Sequence, residues 1–99
     1  MRIIAIKTIK DFWKNPKCKD SEQSLKAWYH EVKKDEWKNP NDVKRKYKNA
    51  SIIKNKRVVF NIAGNKYRLV VAIKYDFQII FIRFVGTHEE YNKINSETI

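Results

Sequence analysis

Residues 57–85 decide the fold: Arg57-Val-Val-Phe-Asn-Ile-Ala-Gly-Asn-Lys-Tyr-Arg-Leu-Val-Val-Ala-Ile-Lys-Tyr-Asp-Phe-Gln-Ile-Ile-Phe-Ile-Arg-Phe-Val85. The run is rich in Val, Ile, Phe and Tyr, which suit a pleated, half-buried surface. It divides into three strands, Arg57–Ile62, Lys66–Tyr75 and Phe77–Val85. Gly64-Asn65 can supply the positive φ angles of a tight turn, and Tyr75-Asp76-Phe77 makes a weaker second turn. Strands joined this closely must be antiparallel, because a parallel pair needs a crossover of about a dozen residues or more. Along the middle strand Tyr67, Leu69, Val71 and Ile73 share one face and form the better core side. Lys66, Arg68, Val70 and Ala72 take the other. Phe60 and Ile62 fit the core, which turns Val59 and Asn61 outward.

Before this meander the period changes. Ile4 and Ile6 alternate in a short strand over Met1–Lys7, after which Thr8 offers a helix cap. That helix ends near Asn15, since the residue before Pro16 is disfavoured in the helical region. Asp20–Trp37 reads as the longest helix, with Ser21 as N-cap and Leu25, Trp28, Tyr29 and Val32 on one face. Asn39-Pro40 opens a short basic helix over Pro40–Tyr47. After Gly86, Thr87 caps a final short helix with Glu89 and Glu90 in its favourable first turn. The expected class is α+β: an N-terminal strand and helices packed on a small, mainly antiparallel sheet, in one domain over residues 1–99.

The chain has 99 residues, 22 Lys+Arg against 11 Asp+Glu, and a net charge of +11. Eight of the basic residues lie in Lys38–Arg57 with a single acid, Asp42, so twenty residues hold +7. Such a cluster repels itself and favours a polyanionic partner, nucleic acid or ribosome. The alternatives are a solvated lysine face, because Lys outnumbers Arg 17 to 5, and an acidic protein partner. Aromatic residues at 13% exclude a disordered basic tail. Apolar runs such as Ile79–Ile82 fall far short of the ~20 residues of a membrane span. Ile3–Ile6 is too short for a signal peptide, and the sole cysteine, Cys18, fits a reducing cytosol. There is no phosphate loop, dinucleotide fingerprint, zinc spacing or serine elbow.

Few residues can do chemistry. Arg68 projects among small apolar neighbours, where a guanidinium can grip a phosphate with two donors. Arg83 is the only charge in an apolar strand, so it either pairs with a carboxylate or faces a site. His88 and Tyr91 are three apart on the last helix, one suited to proton transfer near neutrality and the other to orienting a proton. Lys17-Cys18-Lys19 would lower a thiol pKa. His30 has no assigned role.

The stretch Arg57–Val71, followed by Ile82-Arg-Phe-Val-Gly-Thr-His-Glu-Glu-Tyr91, resembles the HigB-type toxins, a branch of the RelE superfamily of bacterial toxin–antitoxin systems. The resemblance spans nearly the whole chain. It implies a RelE-like fold and a small cytoplasmic endoribonuclease, an mRNA interferase that cleaves message in the ribosomal decoding site and inhibits translation, needing no metal or other cofactor. It implies a cognate HigA-like antitoxin with a helix-turn-helix domain, and no membrane partner. Arg68 matches the arginine of the family's Tyr-Arg-Leu motif, expected at the scissile phosphate. His88 and Tyr91 match the polar residue after the last strand and a helical tyrosine. Lys66, Arg57, Asn61 and Arg83 are supporting positions, and Lys44, Arg45, Lys46, Lys48, Lys54, Lys56 and Arg57 form the expected RNA and ribosome docking surface. The superfamily's lysines around Val59 and Asn61 are missing here. Two rivals stand beside this reading: a non-catalytic basic domain resembling double-stranded RNA-binding domains, which share the order helix, three strands, helix, and a DNA-binding regulatory subunit.

Overall fold

A computed structural model describes residues 1–99. The three central strands form as the residue pattern predicts: β3 (Arg57–Ile62), β4 (Tyr67–Lys74) and β5 (Ile79–Thr87). Two short strands flank them, β1 (Arg2–Ile4) and β2 (Ser51–Ile53), giving a five-stranded sheet of order β1-β5-β4-β3-β2. β1 runs parallel to β5, and every other pair is antiparallel. The helices are α1 (Ile6–Lys14), α2 (Glu22–Lys34), α3 (Pro40–Lys46) and α4 (His88–Tyr91), with a 3-10 helix over Pro16–Ser21. The α+β class therefore holds. The parallel β1 departs from the three-strand order of a double-stranded RNA-binding domain. No helix is long and apolar enough to cross a membrane.

The core lies between the helices and one sheet face. Ile9, Leu25, Trp28, Val32 and Val43 meet Phe60, Tyr67, Leu69, Val71, Ile73 and Ile80 there. On the opposite face Val59, Val70 and Ala72 are also buried, outside that cluster. The chain's last residues come back to the β2–β3 hairpin, where Arg57 donates through Nε and Nη2 to the Ile99 carbonyl and Asn55 to that of Glu97.

Several local expectations give way to tertiary demands. The first strand stops at Ile4 because Ala5 turns left-handed, with φ 73°, and α1 starts at Ile6. Thr8 is thus inside the helix and caps nothing. Ser21 stands at the α2 N-cap position, yet its hydroxyl donates to the Cys18 carbonyl at 2.6 Å and closes the 3-10 turn instead. α2 ends at Lys34, and Trp37 is buried beyond it on extended chain. Asn39 does cap α3, accepting from the Asp42 N–H at 3.1 Å, with Pro40 in the first helical turn.

Two features set the geometry of the sheet's functional end. Ala63, Gly64 and Asn65 all have positive φ, so the β3–β4 turn coils tightly. On β5, Arg83 is an extra residue: Val70 pairs with Phe84 and Val71 with Ile82. Such a bulge reverses side-chain alternation beyond it. Phe84 therefore leaves the face of Ile82, and its ring lies over Gly86, where an added Cβ would sit 2.5 Å from the ring tip.

Candidate active site

Arg68 is half-buried on β4, on the face opposite the helices, and is paired in register with Asn61 on β3 and Gly86 on β5. Its guanidinium is held from two sides. Nη1 donates to the Asn65 carbonyl at 2.6 Å and to that of Tyr67 at 3.3 Å, while Nη2 stands 2.9 Å from His88 Nδ1. A guanidinium only donates, so His88 Nδ1 accepts and the ring proton sits on Nε2. That leaves an exposed N–H beside a fixed positive charge.

His88 owes its position to the start of α4. The Thr87 hydroxyl accepts from the Glu90 N–H at 3.1 Å, and Glu90 Oε1 accepts from the Thr87 N–H at 2.8 Å, a complete capping box. Such reciprocal capping can hold even a four-residue helix to the end of a strand. Tyr91 is half-buried on the last turn of this helix.

The other expected site residues are placed differently. Lys66 turns away to pair with Asp20, which also accepts from the Tyr67 hydroxyl. The Lys66 ammonium, then the Tyr67 hydroxyl, hold the Asp20 carboxyl below its usual range, and Asp20 in turn raises Lys66. Arg83 finds no carboxylate. It is exposed at the bulge with its guanidinium 5.4 Å from the centre of the Phe81 ring. Asn61 donates to the Asn49 carbonyl at 3.2 Å. Cys18 is not a lowered thiol: it is buried, and burial, aided by Glu90 and Asp20, pushes it up against the pull of Lys66 and Lys17. His30 is exposed on α2.

The basic cluster is divided. Lys44 donates to the carbonyls of Lys48 and Ala50, both at 2.8 Å, and so shapes the chain after α3. Arg45 pairs with Asp42 and Lys46 with Asp35. Arg57 holds Ile99, at the end of β3 away from Asn61 and about 13 Å along the strand from it. Lys48, Lys54 and Lys56 are exposed and form no salt bridge. Lys54 and Lys56 lie in the β2–β3 hairpin, so they too are remote from Arg68. No group of three or more His, Cys, Asp or Glu side chains is arranged to hold a metal ion.

A family model described as HigB_toxin, the RelE-like toxic component of a toxin-antitoxin system, matches residues 21–94. The chain belongs to the HigB toxin family. It is 31% identical over 94 residues to the mRNA interferase toxin HigB of Escherichia coli (strain K12), covering 93% of this chain and 88% of that protein. The mRNA interferases HigB of Escherichia coli O157:H7 and Shigella flexneri match with the same identity and coverage. The stretch shared with the HigB model takes in Arg68, His88 and Tyr91, and leaves Asp20 just outside it.

Sequence reasoning missed Asp20 and Asn65. Asp20 is one acid beside the lysines at 17 and 19, with nothing local to mark it. The Asn65 carbonyl belongs to a backbone group, and only the left-handed turn aims it at Arg68.

Proposed function

We propose that the chain is the toxin of a type II toxin–antitoxin system and an endoribonuclease that cuts mRNA at the Arg68–His88 pair. The 2.9 Å contact between Arg68 Nη2 and His88 Nδ1 carries this reading. In it the RNA 2′-oxygen bonds to the adjacent phosphorus, the bond from phosphorus to the 5′-oxygen breaks, and the 2′ proton passes to solvent. Arg68 meets the charge that builds on the phosphorane, where a pre-positioned donor is worth most. The His88 Nε2–H donates a hydrogen bond to the departing 5′-oxygen, which takes its proton from solvent, and Tyr91 orients that oxygen. The requirement for a 2′-hydroxyl selects RNA over DNA. Ribosome-bound message is the proposed substrate, since rRNA can fix a geometry that the short supply of titratable groups here leaves open. A HigA-like antitoxin with a helix-turn-helix domain is the proposed cytoplasmic partner.

The test compares naked mRNA with mRNA on translating ribosomes, for the natural chain and Arg68→Ala. Cleavage should leave 2′,3′-cyclic phosphate ends and fall about 10²–10³-fold in the variant. Full activity of a folded Arg68→Ala protein would remove Arg68 from the mechanism. Equal cleavage of naked and ribosome-bound RNA would remove the ribosome.

A further inference from the structure

The turn that receives Arg68 also walls a groove of ≈ 500 Å³ between α2, the chain after α3 and the end of β3. The cleavage chemistry makes no use of it. Its aromatic lining is built round Phe60, whose ring lies 5.4 Å from that of Trp28 and 5.1 Å from that of Tyr47, both edge to face. Two lining residues carry a buried polar atom with no hydrogen-bond partner, Trp28 Nε1 and Tyr47 OH. Nearly every buried polar group in a native protein is satisfied, so two orphans enclosed behind the lining of one groove are unusual. Burial, with Glu31 and Asp35 nearby, pushes the Tyr47 phenol up, so its hydroxyl stays protonated.

We propose that this groove receives and reads one unstacked nucleobase of the RNA strand whose phosphate lies at Arg68. The inference rests on the cleavage reading for the place of that phosphate. Continuity of the two sites is the first support: Asn61 and Asn65 line the groove, Asn61 is the register partner of Arg68, and Asn65 is its hydrogen-bond acceptor. The second is chemical. Single-stranded RNA is recognised by aromatic surfaces that take a base and by polar groups that meet its edges. Here the half-buried Tyr47, backed by the buried rings of Trp28 and Phe60, stands with a carboxylate, Glu31, and the amides of Asn49 and Asn61. Lys48, an exposed lysine without a salt bridge, adds a charge for a flanking phosphate. A peptide inserting an apolar anchor would leave these charged and amide groups short of partners.

The experiment measures equilibrium binding of short oligoribonucleotides, 2′-O-methylated at the scissile nucleotide to block cleavage. Four versions differ only in the neighbouring base, and the full chain is compared with Ala27→Phe and Tyr47→Phe. Ala27 is exposed on α2 and lines the groove, so the Phe fills it from a surface position. The natural chain should rank the four bases. Filling the groove should lower affinity for the preferred base by roughly tenfold and flatten the ranking, as expected for loss of one base–aromatic contact. Tyr47→Phe should change the ranking while leaving the salt dependence alone. The proposal is overturned if the natural chain binds all four equally, or if a folded Ala27→Phe protein ranks them as before. It is also overturned if Ala27→Phe abolishes antitoxin capture while base ranking survives, because the groove is then a protein interface. Base ranking in a chain that cleaves no RNA would sink the cleavage reading and leave the pocket standing.

Discussion

Gly86→Ala tests how the bulge, the last helix and the site depend on one another. A Cβ at this position would lie 2.5 Å from Phe84 Cζ, 3.0 Å from Phe84 Cε1 and 2.9 Å from Glu90 Oε1. The half-buried Phe84 ring can swing outward at small cost. Glu90 is not free to do so, because the crowded Oε1 is the atom that accepts from the Thr87 N–H. Moving it opens the capping box, at about 0.5–2 kcal/mol, and crowding the ring adds part of the roughly 1–3 kcal/mol typical of overpacking. A net loss of about 2 kcal/mol lowers the melting temperature of a domain this small by roughly 8–16 °C. Thermal melts by circular dichroism, with and without Phe84→Leu, measure it: the shorter side chain should recover about half of the loss. RNA cleavage at a temperature where the variant stays folded should also fall, since His88 follows the cap directly. A change below about 0.5 kcal/mol, or an equal cost in the Phe84→Leu background, would refute the reasoning.

Three further outcomes are expected. Asp20→Asn should flatten the acid limb of the stability curve. The folded carboxyl titrates below its usual value, so its contribution is present above the unfolded pKa and lost as pH falls through the folded one; an unchanged acid limb in urea titrations would count against the Asp20–Lys66–Tyr67 cluster. Ser21→Ala removes a buried donor and leaves the Cys18 carbonyl short of it, at about 1 kcal/mol or roughly 4–8 °C in melting temperature. Lys54 and Lys56 changed together to Gln should flatten the salt dependence of ribosome binding, by up to about 0.7 in log–log slope for each phosphate left without its lysine. An unchanged slope would make these lysines a solvated face.

What the sequence makes legible is local. The three central strands, the Gly64-Asn65 turn, the Asn39-Pro40 helix start and the Thr87 cap each depend on residues within a few positions of one another. Arg68 and His88 are legible for the same reason, since strand parity puts one on the open face and a cap puts the other just past the last strand. Their contact requires the β4–β5 register, which pairs Arg68 with Gly86. The features that escape are long-range. Asp20 reaches Lys66 across 46 positions. β2 is three residues long and has no pattern of its own until β3 lies beside it. The Arg83 bulge cannot be read from alternating side chains, because Ile82, Arg83 and Phe84 fit an unbroken strand equally well.

The division of the basic cluster bears on which charges can meet RNA. Arg45 and Lys46 are engaged with Asp42 and Asp35 at 3.1 and 2.8 Å, but pairs this close to solvent are worth only about 0–1 kcal/mol. A charge-assisted bond to phosphate is worth about 1.5–3 kcal/mol, so these two side chains can exchange partners when RNA arrives. Lys44 and Arg57 cannot do so cheaply. Each holds two backbone carbonyls at once: those of Lys48 and Ala50 for one, those of Asn55 and the distant Ile99 for the other. The available charge is therefore smaller than +7, and apart from Lys38 and Arg45, which line a separate hollow with Asp35, Glu36 and Asp42, it stands in two places. Lys46 and Lys48 border the groove next to Arg68, and Lys54 and Lys56 lie in the distant hairpin. If the strand being cut uses the first pair and the ribosome the second, Lys48→Gln should weaken binding of a short oligoribonucleotide, and Lys54→Gln with Lys56→Gln should weaken ribosome binding alone. Equal loss in both assays from either change would return the cluster to a single undivided surface.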